Sequence, residues 1–221
     1  MTTKSKIAVI GLGNIGKAVA TNLVKSNRPV ILAGRTAEKA SAVAKELGQL
    51  AKPAEIIAAI KEADTIVLAV WFSTIKEILG TYANELKGKI IIDPSNPIAP
   101  DEKGGFKKII GENESAGEII ASLLPAGAKL AKALGTLGAA SLSNAAFQKP
   151  AANVLFYATD DSSINAVIEE LIHDTGFEPL RVGGIDQSIR IEVFGDLHEF
   201  GALGKPVTVA QAEEKVAAQQ D

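Results

Sequence analysis

The residues whose types and spacing can do chemistry begin with Gly11-Leu12-Gly13-Asn14-Ile15-Gly16, entered from the apolar run Ile7-Ala8-Val9-Ile10. Glycines at the first, third and sixth places of such a turn have three uses. They let the chain bend sharply off a strand, let backbone N–H groups approach a pyrophosphate with no Cβ in the way, and let the next helix pack close on a sheet. The helix start then favours an anion, because its first N–H groups lack partners and its dipole is positive there. Near-matches to this spacing are common in a chain with 20 glycines, but here the flanking residues agree with it. The glycines follow a β-branched run directly, and Ala18, Val19, Leu23 and Val24 then recur as an apolar helical stripe.

The next group identifies the dinucleotide. An NAD site usually carries Asp or Glu about 20 residues past the glycines, on the ribose 2′-hydroxyl, and an NADP site replaces it with small residues and an arginine. Here Val30-Ile31-Leu32 runs into Ala33-Gly34-Arg35-Thr36, with Lys39 one helical turn on. Arg35 offers a planar fork suited to a phosphate, and Lys39 adds a point charge on the same side. The competing reading makes both cations solvated charges opening a surface helix, with Thr36 capping it and Glu38 pairing locally.

Two further strand ends complete the candidate set, since ligands of open α/β sheets lie over the carboxyl ends of the strands. One is Ala69-Val70-Trp71, running on to Thr74; the other is Asp93 to Pro97, with Asn96 and Pro97 at its turn. Trp71, the single tryptophan, either faces a nicotinamide or flat acceptor or packs on the core as a helix-start residue. Asn96 either donates its amide to the carboxamide or ribose or simply builds the turn before Pro97.

These stretches need strands and helices in alternation to hold them, and the pattern supplies that. A helix from Thr36 or Ala37 to Leu47 stops at Gly48; Gln49 to Ala51 reads as a weak third strand; Pro53 opens a helix to Ala63 at its first position. Thr65 to Val70 and Lys89 to Asp93 read as buried strands, with a helix from Trp71 to about Leu86 between them. Residues 99–113 read as a long polar connection of the functional or mobile kind. Ser115 to Glu118 forms a capping box for a helix through Leu124. Strands follow near 128–133, 153–158 and 180–182, with a helix to about Asp174 between the last two. A helix is expected over 186–200, and a charged, Ala-rich helical end from Lys205. The fold class is α/β, a doubly wound parallel sheet or Rossmann fold. We divide it into a dinucleotide-binding unit, residues 1–145, and a small α/β extension, residues 146–221, packing on it and on a second copy.

Composition narrows the partners. The 221 residues carry a formal charge of −3 and a pI near 5.6, with no Lys/Arg run of the kind that grips nucleic acid or anionic lipid. Without cysteine there is no disulfide, thiol chemistry or thiolate metal site, and no metal site of another kind is read from the residues. Neither a signal-peptide core nor an apolar stretch of ~18 residues is found, so a cytoplasmic, membrane-free chain is expected. The two histidines are His173, read as a surface or capping residue, and His198, read as approaching the pocket or a dimer contact. No residue is assigned as a catalytic acid or base.

Taken together and in order, the pieces resemble the deazaflavin (coenzyme F-420) dependent NADP oxidoreductase family, whose relatives include the NADPH-binding domains of membrane metalloreductases. They are the N-terminal fingerprint, Gly34-Arg35 with Lys39, Asn96-Pro97, Ser115-Ala116-Gly117-Glu118, Gly176-Phe177-Glu178-Pro179, and Ser188 to Glu192 leading to Leu197-His198. The resemblance implies an NADP(H) site with Arg35 and Lys39 on the 2′-phosphate and a flavin or deazaflavin as second substrate. It also implies a cavity over the nicotinamide roofed by the C-terminal part, and a homodimer. The chain departs from the pattern at Gly135, where relatives commonly carry Asn or His, and at Ile189, where they usually carry arginine; this chain's own arginine, Arg190, stands next door. The Gly135 departure is read as removing a side chain from the cofactor pocket. In such an enzyme hydride passes from nicotinamide C4 to the ring, and the protein supplies stacking, orientation and exclusion of water.

Two rivals remain. A dehydrogenase of hydroxy acids or imines would want a large helical domain and, for hydroxy acids, a lysine base. A non-catalytic NADP-binding regulator would use the nucleotide to set an interaction surface. The apolar series Phe194, Leu197, Phe200 and Leu203, at intervals of three, reads as a helical stripe for a dimer contact.

Overall fold

The computed structural model describes residues 4–217. The N-terminal half alternates strictly: β1 (Ile7–Ile10), α1 (Asn14–Lys25), β2 (Val30–Ala33), α2 (Ala37–Leu47), β3 (Ala51–Pro53), α3 (Ile56–Glu62), β4 (Thr65–Leu68), α4 (Phe72–Thr81) and β5 (Ile90–Asp93). Next come a hairpin, β6 (Ile98–Pro100) and β7 (Phe106–Lys108), and then α5 (Ala116–Ala121), β8 (Lys129–Ala133), α6 (Ala139–Asn144) and β9 (Val154–Ala158). The chain finishes with α7 (Asn165–Asp174), β10 (Glu178–Gly183), α8 (Ser188–Ile191) and α9 (Val209–Ala217). Residues 218–221, the end of the helix expected from Lys205, lie outside the described residues.

One 8-stranded sheet runs in the order β10-β9-β8-β5-β4-β1-β2-β3. Every pairing is parallel except β8 with β9, which is antiparallel and joins through Lys132 and Ala133. The sheet is therefore the doubly wound one expected, and β9 and β10 of the C-terminal extension continue it rather than forming a sheet of their own.

Strand β1 explains the layering. Its side chains alternate, Ile7 and Val9 packing with α1 and α2 residues on one face, Ala8 and Ile10 with α3 and α4 residues on the other. All four are buried, as a parallel strand covered by helices on both faces requires. The helices reach the sheet with small and branched residues: Ala18, Val19 and Leu23 from α1, Ile75, Ile78 and Leu79 from α4. A third cluster joins β9 to Ile191, Leu197, Leu203, Val207 and Ala212, so α9 buries Ala212 within its own chain.

Several expectations are corrected. Pro53 ends β3 instead of opening a helix, and α3 begins at Ile56 with Glu55 before it. As the outermost strand of the sheet, β3 tolerates a residue without an N–H. The stretch 99–113 contains the β6–β7 hairpin. The Ser115 hydroxyl accepts from the Glu118 N–H, but the Glu118 carboxylate takes the Ser115 hydroxyl instead of a backbone N–H. Helix α5 also stops at Ala121, short of Leu124.

The helix expected over 186–200 is present only as a 3₁₀ turn and the short α8. Glu192 then turns to extended backbone and Phe194 takes a φ of 73°. The winding continues as tight turns pinned by the Arg190–Asp196 ion pair at 2.9 Å. The apolar series is thus no stripe: Leu197 and Leu203 are buried in the third cluster, whereas Phe194 and Phe200 are exposed. With it goes the structural argument for a helical dimer contact.

Candidate functional site

Two clefts meet over the carboxyl ends of the central strands. The first, of about 690 Å³, runs from Gly11, Leu12 and Gly13 to Gly34, Arg35, Thr36 and Lys39, with α4 as its far wall. Its floor is set by the glycine turn. Gly11 has a φ of 97°, and a Cβ there would lie 2.3 Å from the Ala69 carbonyl oxygen; a Cβ on Gly16 would lie 1.8 Å from the Gly11 carbonyl oxygen. Gly16 therefore supports the turn from behind and does not line the cleft. A Cβ on Gly13, by contrast, would meet nothing within 4 Å. The outer two glycines are demanded by the chain itself, and the middle one is not.

Helix α1 starts on this floor with Gly13 at its cap, no capping side chain and no acidic residue in its first turn. Its start is therefore the kind of helix end that favours an anion. At the other end Thr36 caps α2 by accepting from the Lys39 N–H, so that part of the surface-helix reading is correct. Arg35 and Lys39 have no ion-pair partner among the described residues. Both border the cleft.

The second cavity, of about 620 Å³, shares Gly13, Val70 and Trp71 with the first. Asn14, Ile15, Ala69, Asn96, Gly135 and Val193 are also on its walls. None of its lining residues carries a formal charge. Its rim holds the four most exposed large apolar side chains among the described residues: Trp71 (54%), Phe106 (53%), Phe194 (54%) and Phe200 (61%). Trp71 thus does not pack on the core; its neighbour Phe72 does. The four rings come from the start of α4, from β7, and from the turns after α8, segments far apart in sequence.

The polar groups around this cavity are mostly committed. Asn96 donates from its amide to the Gly135 carbonyl at 3.2 Å and accepts from the Val193 N–H at 2.7 Å. Its side chain therefore ties three loops together, which goes beyond building the turn before Pro97. Pro97 does not line the cavity; its carbonyl accepts from the Ile109 N–H at the hairpin base. Gly135 is corrected too. A Cβ there would lie 2.4 Å from the Pro94 carbonyl oxygen, so the glycine leaves room for backbone and removes nothing from the pocket.

His198 is buried at the cavity wall. Its Nε2 sits 2.9 Å from the Gly135 carbonyl, and its Nδ1 accepts from the Phe200 N–H at 3.0 Å. A carbonyl only accepts, so Nε2 carries the proton and the ring is neutral. Burial is the main cause that pulls its pKa down to about 4, against the Gly135 carbonyl, which favours the protonated form. With both nitrogens occupied, His198 orients loops and offers no proton to a substrate. His173 is exposed on α7, 3.6 Å from Glu178, in neither cleft, as its surface reading expected.

Behind the cavity floor lies a buried charged cluster. Lys132 on β8 pairs with Asp93 on β5 at 2.9 Å and stands 3.8 Å from Glu192, all three buried. Lys132 also donates to the Ser95 carbonyl, and Asp93 accepts from the Ser95 N–H at 2.7 Å. The pair holds both ends of the residue that shapes the floor. Glu192 accepts from the Ala116 and Gly117 N–H groups at 2.9 Å each; burial pushes its carboxyl up, against the pull of Lys132 and those two donors. The sequence carried a signal for this cluster, a lysine amid the apolar residues of β8, which needs a buried counter-charge. The four-ring rim carried none.

Residues 6–97 match the family described as NADP oxidoreductase coenzyme F420-dependent. Over 187 residues the chain is 26% identical to Metalloreductase STEAP3 of Rattus norvegicus, a match covering 85% of this chain and 36% of that protein. It is 34% identical over 101 residues to the F420-dependent NADP reductase of Methanothermobacter marburgensis, covering 42% of this chain and 45% of that one. The matches thus span less than half the length of these curated relatives. Among solved structures, the hypothetical protein SMa0349 from Sinorhizobium meliloti superposes with a TM-score of 0.80 at 29% identity, over 92% of this chain and 95% of that one. The match over residues 6–97 and the Rossmann-type sheet agree with the resemblance read from the residues, to NADP-dependent oxidoreductases of the coenzyme F420-dependent type.

Proposed function

We propose that the chain binds NADP(H) along the first cleft and passes hydride between its nicotinamide and a flat acceptor, a flavin or deazaflavin, in the aromatic-rimmed cavity. The observation that carries this reading is the shared wall. Gly13, Val70 and Trp71 border both spaces, so a ligand laid along one ends at the mouth of the other.

The roles follow from position. Gly11 to Gly13 and the start of α1 receive the pyrophosphate, with Gly16 supporting the turn from behind, and Arg35 and Lys39, beside Gly34 and Thr36, receive the 2′-phosphate. Ala69, Val70 and Trp71 form the edge over which the nicotinamide turns. When bound, the cofactor supplies the hydride. The protein aligns the reacting rings between Trp71 and the turns at 135–138 and 193–200, and keeps water from them. No acid or base is required of the protein, which agrees with a neutral, fully bonded His198. Carboxylate-bearing hydroxy acids would find no cation among the cavity's lining residues.

The test is NADPH oxidation measured with a deazaflavin, with free flavin, and with a panel of hydroxy and keto acids. Turnover with the flat acceptors, weakened chiefly in acceptor KM by Trp71→Ala, is expected. Turnover confined to the acids overturns the acceptor assignment, and NADPH binding without any turnover favours the regulator.

A further inference from the structure

The second cavity has a chemistry of its own, in what its walls leave free. None of its lining side chains is charged. Of its polar ones, Asn96 and His198 are engaged by backbone groups of Gly135, Val193 and Phe200, and the Ser95 hydroxyl is buried without a partner. Asn14, exposed at the start of α1, is the accessible polar side chain that makes no hydrogen bond among the described residues. A ring with several donors and acceptors along one edge must keep that edge at the mouth, in water, because buried polar groups without partners are costly. A ring with only two opposed carbonyls has no such difficulty. One carbonyl meets Asn14 and the other points to the mouth, while Trp71, Phe106, Phe194 and Phe200 cover its apolar faces.

We propose that this cavity also takes neutral quinones and reduces them by two electrons. The proposal rests on the NADP(H) reading above. Hydride, two electrons and one proton, leaves nicotinamide C4 for the quinone, and the second proton comes from water at the mouth, since no lining side chain is placed to give it. NADPH, a proton and the quinone become NADP⁺ and the hydroquinone. A sulfonate on the same ring system must enter the uncharged cavity or hold the ring askew, and either lowers its rate.

The experiment follows NADPH loss and hydroquinone formation without oxygen, comparing 2-methyl-1,4-naphthoquinone with 1,4-naphthoquinone-2-sulfonate. The wild-type protein and the single variants Phe106→Ala and Phe200→Ala are used, both positions being exposed. Expected are one hydroquinone per NADPH, a kcat/KM for the neutral quinone at least about tenfold above the sulfonate, and a KM for the neutral quinone raised severalfold in each variant. Equal or faster turnover of the sulfonate, or rates untouched in both variants, overturns the proposal. Turnover of flavin or deazaflavin but of no quinone overturns it and leaves the NADP(H) reading standing. Failure of NADPH to bind at all overturns both.

Discussion

Lys132 and Asp93 face each other at 2.9 Å from adjacent strands, both almost wholly buried, and between them they hold the amide and the carbonyl of Ser95. Removing the cation strands two carboxylates, Asp93 and Glu192, in the protein interior. Lys132→Ala is expected to destabilise the fold by about 3–5 kcal/mol, the usual cost of an uncompensated buried charge. Urea unfolding with an unchanged slope and a lowered midpoint is the expected measurement. A midpoint at the wild-type value would show that the pair contributes nothing.

Restoring a side chain at position 135 is expected to harm the fold and leave the pocket unimproved. The Cβ of Gly135→Asn would press on the Pro94 carbonyl, at a cost of roughly 1–3 kcal/mol for overpacking. The Asn96 and His198 bonds to the Gly135 carbonyl would shift with it. A melting temperature equal to wild type with better turnover of a flat acceptor would refute this.

The two ends of the nucleotide cleft are separable. Arg35→Ala is expected to weaken NADP binding about tenfold to a hundredfold, the loss of a charge-assisted contact worth roughly 1.5–3 kcal/mol, with NAD binding little changed. Gly13→Val is expected to change stability by no more than about 1 kcal/mol, because its side chain enters open space. It should weaken both dinucleotides together. Titration calorimetry with NADP and NAD separates the two patterns.

His198 predicts a pH dependence with a definite sign. Its pKa falls from 6.5 to about 4 on folding, so between those values the unfolded chain binds the extra proton. The stability it contributes is full above pH 6.5 and is lost as pH falls towards 4, an effect of roughly 3 kcal/mol. Glu192, pushed up by burial, acts in the opposite sense, with stability falling as pH rises above its ordinary range. The comparison that isolates the histidine is wild type against His198→Gln, whose unfolding free energy should vary less between pH 6.5 and 4. Parallel curves for the two proteins would remove His198 from the balance.

The N-terminal half was legible because its signals are local. A buried strand must be a run such as Ile7 to Ile10, a sharp strand-to-helix turn needs Gly11, and an α2 with Thr36 at its cap and Arg35 just before it can be read from neighbours in the chain. The sequence alone therefore determined the alternation, the strand ends that border the first cleft, and the cations at one of them. Where a side chain's fate depends on residues a hundred positions away, the sequence had no say. The series from Phe194 to Leu203 carries a helical period, but Glu192 is drawn to the Ala116 and Gly117 N–H groups of α5 and Gly195 packs against the Arg190 carbonyl. The backbone therefore turns, sending Leu197 and Leu203 inward and Phe194 and Phe200 to the cavity. Asn96 likewise reads as a turn former until Val193 and Gly135 arrive beside it. Tertiary structure decided the second cavity, because its walls come from six separate strand ends and turns, and only their convergence leaves an uncharged space ringed by aromatic side chains.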